Sequence, residues 1–294
     1  MLNLEGSYKV YLDGELVSES KNIITTVGKS VIRKYLAGTY PNWAYALGAG
    51  VGTGSTTTAA AVGDVKLQYE IERQPITYKS TYTSGTDELI LLKANFSNSL
   101  VAVIKEVGVF PSITTSSSGL YNDRVLADFS ESWTGGNTSA VASLVGSANR
   151  EFNFAGQTAM SLTGLAVAMD GYSPDDKISL LLTNGNATAK TLTVTLTGTL
   201  GSKAYTFTTD STATTQIKDL TLDTGPASIG TLNSISIACS TLTSGQSVSL
   251  DAIKLVNYDE YGPAADMVSR SVLSTPITKV AGQELEIEYS LKVQ

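Results

Sequence analysis

Apolar and polar residues alternate along most of this chain, in short runs bounded by glycine, proline, asparagine and aspartate. A period of two is the mark of a half-buried strand, because successive side chains point to opposite faces. The clearest run is the last one, Glu284-Leu285-Glu286-Ile287-Glu288-Tyr289-Ser290-Leu291-Lys292-Val293. Ahead of it, Ser271, Val272 and Leu273 lead into Pro276, which is expected to cap a first strand, and Ala281-Gly282-Gln283 supplies the turn. Near the N-terminus, Tyr8–Leu12 and Glu15–Val17 flank Asp13-Gly14, the strongest short-range hairpin signal. One stretch departs from this period. In Thr25–Ala37, Val27, Val31, Ile32, Tyr35 and Leu36 share a helical face, Thr25 or Thr26 can cap the start, and Gly38 sits at the end.

After that helix the pattern predicts a short strand at Tyr45–Leu47, a Gly-rich loop from Gly48 to about Thr58, and a helical turn at Asp64–Tyr69. Strands are expected at Gln74–Tyr82, Glu88–Phe96 and Val101–Phe110. Residues 111–118 (PSITTSSS) read as a linker, and Tyr261-Gly262-Pro263 as the return linker. Between them lie about eight short alternating runs, the clearest being Glu151–Phe154, Met160–Met169, Lys177–Thr183, Thr191–Leu196, Ala204–Thr209, Thr215–Leu222, Ser234–Cys239 and Ser247–Val256. Regular spacing of this kind suggests a two-sheet sandwich of jelly-roll type. The expected fold is therefore mainly β. A small β-rich α+β base domain, 1–118 with 263–294, is split by an inserted antiparallel β-sandwich, 119–262.

Composition narrows the chemistry. Charged residues are 16% of 294 and the net charge is −7 with no run of like sign, which disfavours nucleic acid. There is no histidine, so Ser-His-Asp and Cys-His catalysis and histidine-ligated metals are excluded. The single cysteine, Cys239, lies in an alternating run and reads as a core residue. No apolar h-region opens the chain and no run approaches a membrane span, so we expect neither a signal peptide nor a spanning helix.

Five segments follow in order: Asn22-Ile23-Ile24-Thr25 before the helix, Ala46-Leu47-Gly48-Ala49-Gly50, Glu70-Ile71-Glu72-Arg73-Gln74-Pro75-Ile76-Thr77, Glu106-Val107-Gly108-Val109-Phe110, and Arg270 with Pro276-Ile277-Thr278-Lys279. Together they resemble a family of small tail-fibre-like proteins of tailed bacteriophages. The resemblance covers about 145 residues and implies a virion structural protein. Where the family has a short loop, this chain carries the insertion. The insertion resembles non-catalytic carbohydrate-binding jelly rolls, on Asp128–Trp133 at its start and Ser249–Leu255 at its close.

Candidate sites are few. Asp170, Asp175 and Asp176 share one turn (DGYSPDD) and are candidate ligands for a structural calcium, against the ordinary alternative of a solvated turn. Trp133, Tyr172, Tyr205 and Tyr258 are candidate sugar-stacking rings, with Trp43 and Tyr261 beside them. For Trp133 the competing reading is a plug that packs on the sandwich edge. The Gly48–Gly54 loop lacks the Lys-Ser/Thr of a phosphate cradle and reads as a flexible or interface loop. Glu286 and Glu288 are expected to be solvated or to meet a neighbouring subunit's Lys or Arg. The reading that follows is no enzyme and no cofactor beyond that calcium. It is a virion component (tail, collar or baseplate) made in a host bacterial cytoplasm, with a homo-oligomeric base that meets other virion proteins and a jelly roll that projects to bind glycans. The alternative is a non-catalytic carbohydrate-binding adhesin. A polysaccharide depolymerase ranks behind both, because no long β-helical repeat is visible.

Overall fold

The computed structural model describes residues 4–52, 58–111, 123–147, 150–153, 159–170, 172, 174, 176–211, 214–223, 226–239, 242–243, 245–256 and 267–293. The chain divides into two compact units, Met1–Thr114 with Tyr261–Gln294, and Thr115–Glu260. More than half of the described residues lie in antiparallel strands. No helix among the described residues is long and apolar enough to cross a membrane.

In the split unit the chain runs β1 (Leu4–Leu12), β2 (Glu15–Lys21), β3 (Ile23–Ile24), α1 (Thr26–Leu36), β4 (Ala46–Gly50), β5 (Glu70–Pro75), β6 (Tyr78–Ser84), β7 (Asp87–Phe96) and β8 (Ala102–Phe110). They form two five-stranded sheets, and each is completed by one strand from beyond the insertion, β19 (Ser269–Lys279) or β20 (Leu285–Val293). The orders are β2-β1-β20-β7-β6 and β3-β19-β8-β4-β5. Asp13 and Gly14 both take positive φ, 51° and 81°, which is the mirror-image turn that a twisted two-residue hairpin needs. The alternation in β20 buries Leu285, Ile287, Tyr289 and Leu291. At about 2 kcal/mol per side chain, that face contributes roughly 8 kcal/mol as an upper figure.

Helix α1 is capped by Thr25, whose Oγ1 accepts from the Gly28 amide at 2.8 Å and donates to the Met267 carbonyl at 2.5 Å. Gly28 is where the helix meets the chain entering β19, because a Cβ there would lie 2.1 Å from the Val268 carbonyl oxygen. The second sheet is pinned by charge. Arg270 donates from Nε and Nη2 to Glu106 Oε2 at 3.0 and 2.7 Å, and from Nη1 to Asp64 at 2.8 Å. Glu106 takes the Tyr69 amide on its other oxygen, at 3.0 Å. Arg73 grips Glu70 at 2.6 and 2.8 Å while its guanidinium lies 3.6 Å from the centre of the Phe110 ring.

Four expectations are corrected here. Pro276 does not end its strand; β19 runs through it, and the pairing to β8 is irregular between Val272 and Ile277, which is where a proline fits a sheet. The single strand expected over Gln74–Tyr82 is two strands in different sheets, parted after Pro75. Residues Asp64–Tyr69 hold no helix. Gly48–Gly50 is no loop but the buried strand β4, where a Cβ on Gly48 would sit 2.6 Å from the Phe110 ring and one on Gly50 2.7 Å from Glu106 Oε1. Residues 53–57 of the same run lie outside the described residues.

The second unit is a sandwich of two antiparallel sheets. Its elements are β9 (Asp123–Ala127), β10 (Asn137–Thr138), β11 (Arg150–Asn153), β12 (Ala159–Ala168), β13 (Lys177–Asn184), β14 (Thr191–Gly198), β15 (Ser202–Thr208), β16 (Thr215–Thr221), α2 (Pro226–Ile229), β17 (Thr231–Cys239) and β18 (Ser247–Val256). One sheet orders β10-β11-β18-β13-β16, with β9 and β11 placed end to end along β18; the other orders β12-β17-β14-β15. Inward-facing Leu162, Val194, Leu196, Ile235 and Ile237 of one sheet join Ile178, Leu180, Leu182, Leu250, Ile253 and Leu255 of the other in one core, which also holds Cys239.

Candidate functional site

The rings singled out in the second unit face inward. Trp133 is 7% exposed, stacks on Phe129 at 4.7 Å, and donates its indole N–H to Glu131 at 3.1 Å. Tyr172 and Tyr205 are 4% exposed in the same core. Tyr205 gives its hydroxyl to the Leu222 carbonyl at 3.2 Å, and burial, then Asp223, pushes its phenol up to about 12. None of the three offers a ring face to a sugar. The plug reading of Trp133 fits this geometry, because the residue closes the core at the start of the unit. Tyr258 and Tyr261 lie outside the described residues.

Of the aspartates proposed for calcium, Asp170 is exposed and Asp176 is buried, while Asp175 lies outside the described residues. Among the described residues no three acidic or cysteine groups come together as a metal would need. Asp251 is also buried, and it latches a loop. Its carboxylate accepts from Ser143 Oγ at 3.0 Å and from the Leu144 and Val145 amides at 2.9 and 3.1 Å. Burial pushes that carboxyl up to about 6 against those donors, with Asp128 adding to the rise.

The open, ring-bearing site lies in the split unit. A cleft of about 320 Å³ is walled by Tyr35 from the last turn of α1, by Asn42, Trp43 and Ala44 ahead of β4, by Lys79, Ser80 and Thr81 of β6, and by Ile90 and Leu92 of β7. Strand alternation explains its floor, since Lys79 pairs with Leu92 and Thr81 with Ile90 on one face of the sheet. Trp43 is half-buried and Tyr35 is 41% exposed, and both line the cleft. Lys79 Nζ donates to the Ala44 carbonyl at 2.8 Å, which fixes the loop that carries Trp43; burial draws this lysine's pKa down. Rings, an amide, the Thr81 hydroxyl and one ammonium are a set that can stack on and hydrogen-bond a polar ligand. Trp43 was legible as a candidate. Its partners were not, because they meet only through sheet pairing.

A second groove, about 560 Å³, lies on the opposite face of the same sheet and includes Tyr11, Lys93, Asn95, Glu286 and Glu288. Lys93 sits between the two carboxylates, 3.2 Å from Glu286 and in contact with Glu288, and Tyr11 donates to Glu288 at 3.2 Å. The cation that meets Glu286 and Glu288 is therefore this chain's own Lys93, not a neighbour's. A lysine between two carboxylates also occupies the place a glycosidase leaves for the scissile bond.

No family model matches the chain, and no curated protein matches it. Among solved structures, it is similar to the family 11 carbohydrate-binding module from Clostridium thermocellum, solved in complex with a beta-1,3-1,4-mixed-linked tetrasaccharide; identity is 16%, coverage 46% of this chain and 95% of that one, TM-score 0.34. The CBM36-1 domain of a multidomain xylanase from the hindgut metagenome of Trinervitermes trinervoides matches at 12% identity, over 47% of this chain and 98% of that one, TM-score 0.30. A carbohydrate-binding module CBM36 in complex with calcium and xylotriose matches at 13% identity, over 45% and 98%, TM-score 0.27.

Proposed function

We propose that this is a non-catalytic carbohydrate-binding protein whose Trp43 cleft takes a sugar unit. The observation that carries the proposal is the cleft itself. Trp43 and Tyr35 line it and can stack on the C–H face of a pyranose, and Asn42 and Thr81 stand beside them to meet its hydroxyls. Binding without turnover is what such a lining supports. The chain has no histidine to activate a serine or cysteine, and in the other groove Lys93 lies between the two carboxylates. The test is a glycan array with the full chain, followed by titration of the best ligand against Trp43→Ala. Loss of one stacking ring, worth roughly 1.5 kcal/mol, weakens binding about tenfold. Binding of no glycan, or equal binding by the variant, sinks the proposal.

A second reading concerns where the protein works, and it is compatible with the first. The five segments that resemble tail-fibre-like proteins supply all five strands of one sheet, β3-β19-β8-β4-β5. This favours a virion component of a tailed bacteriophage, assembled with other virion proteins in the host cytoplasm. Mass spectrometry of purified particles tests it, and absence of the chain from them refutes it.

A further inference from the structure

Among the described residues, strand β6 is the last of its sheet. Natural edge strands are usually blunted by charge, proline, bulges or shortness, because their unpaired N–H and C=O groups template pairing with another chain. The other edges of the split unit follow that rule. β2 carries Glu15, Glu19 and Lys21, and its pairing to β1 is irregular at Val10 and Tyr11. β3 has two residues. β5 carries Glu70, Glu72 and Arg73, ends on Pro75, and pairs irregularly with β4.

β6 has no proline and no bulge, and it carries a single charge. Its seven residues, Tyr-Lys-Ser-Thr-Tyr-Thr-Ser, pair with β7 in unbroken register from Tyr78↔Lys93 to Ser84↔Asp87. All but Ser80 are exposed, and the one charge, Lys79, is turned to the Ala44 carbonyl. Tyr78 and Tyr82, 49% and 39% exposed, lie on the same face as Ser80. Tyr82 is held in place by its hydroxyl contact with Ser290 at 3.2 Å.

We propose that two copies of the chain pair through β6, antiparallel, about a two-fold axis at Ser80. Two five-stranded sheets then become one continuous sheet. The strand selects both the partner and the register. A two-fold axis perpendicular to a sheet must pass through a residue and its own copy, since any odd offset would oppose side chains of opposite faces. Centring on Lys79 sets two lysines against each other. Centring on Thr81 sets the tyrosines against serines. Centring on Ser80 sets Tyr78 opposite Tyr82 of the second copy twice, a favourable aromatic cross-strand pair, and faces Lys79 with a threonine. The same axis places the two Trp43 clefts side by side, because Lys79 and Thr81 line them. A glycan longer than one cleft could then span both.

The test is light scattering coupled to size exclusion, with no sugar present, on the full chain and on Ser80→Lys and Trp43→Ala. The expected result is a wild-type mass that is an even multiple of 30.8 kDa, a Ser80→Lys mass halved by like charges on the axis, and an unchanged Trp43→Ala mass. Ser80→Cys should also give a disulfide-linked dimer on oxidation, because residues directly opposite approach to about 5 Å, while Thr81→Cys should not. Cys239 is buried and does not interfere. A wild type that stays monomeric up to about 0.1 mM overturns the proposal, and so does an oligomer indifferent to Ser80→Lys. Both readouts are independent of sugar binding, so failure here and failure of the cleft's assignment are distinguishable.

Discussion

Replacing Arg270 by methionine strands a carboxylate inside the split unit. Arg270 is 2% exposed at its side chain and Glu106 is 0% exposed, so solvent screening does not soften the loss. The arginine supplies both of its contacts to Glu106 Oε2; without it, Glu106 keeps only the Tyr69 amide. Asp64 loses a partner too, but it is 23% exposed and water replaces it. Breaking one side of a buried pair costs about 3–5 kcal/mol, most of it the desolvation of the charge left behind. In a unit of about 150 residues that lowers Tm by roughly 10 °C. Removing both charges, Arg270→Met with Glu106→Leu, should recover at least half, because no unpaired ion remains. The assay is urea unfolding followed by circular dichroism and tryptophan fluorescence, with Trp43 reporting the split unit and Trp133 the sandwich. A single-variant cost under about 1 kcal/mol, or a double variant as unstable as the sum of the singles, would falsify the reasoning.

Three further outcomes are expected. Removing residues 115–260 should leave a cooperatively folding split unit, because the Val268 amide already donates to the Val109 carbonyl at 2.7 Å and the remaining loop is short; a featureless dichroism spectrum would show that the unit depends on its insertion. Gly28→Ala should cost roughly 3 kcal/mol in denaturant titration, since its Cβ meets the Val268 backbone at 2.1 Å; a neutral result would mean that helix and strand separate freely. Asp251 should make the sandwich less stable as pH rises. Its folded-state pKa of about 6 lies above the ordinary 3.8, so the folded form binds the extra proton. The stability this confers is complete below about pH 4 and is lost as pH rises to about 6, by ~3 kcal/mol. Wild type minus Asp251→Asn, measured between pH 4 and 7, should fall by that amount, and a flat difference would rule it out.

Pattern alone went far with the strands and less far with the site. The alternation in β20, the Asp13-Gly14 turn and the Thr25 cap are local physics, and each appears where the periodicity puts it. Trp133 shows the limit. An aromatic in a polar run looks the same whether its ring faces water or Phe129, because exposure depends on which strands pack above it.

What sequence by itself determined is most of the strands, the one long helix and the absence of histidine chemistry. These follow from neighbours within a few residues, or from composition. Tertiary structure decided the rest. Gly48 and Gly50 looked like loop residues but are buried strand, because Phe110 and Glu106 fill the space a side chain would need. Arg270 and Glu106 became partners across the whole insertion because β8 and β19 pair. The Trp43 cleft exists because a helix end, a loop and two strands converge, and only folding gives residues 35, 43, 80 and 90 a common surface.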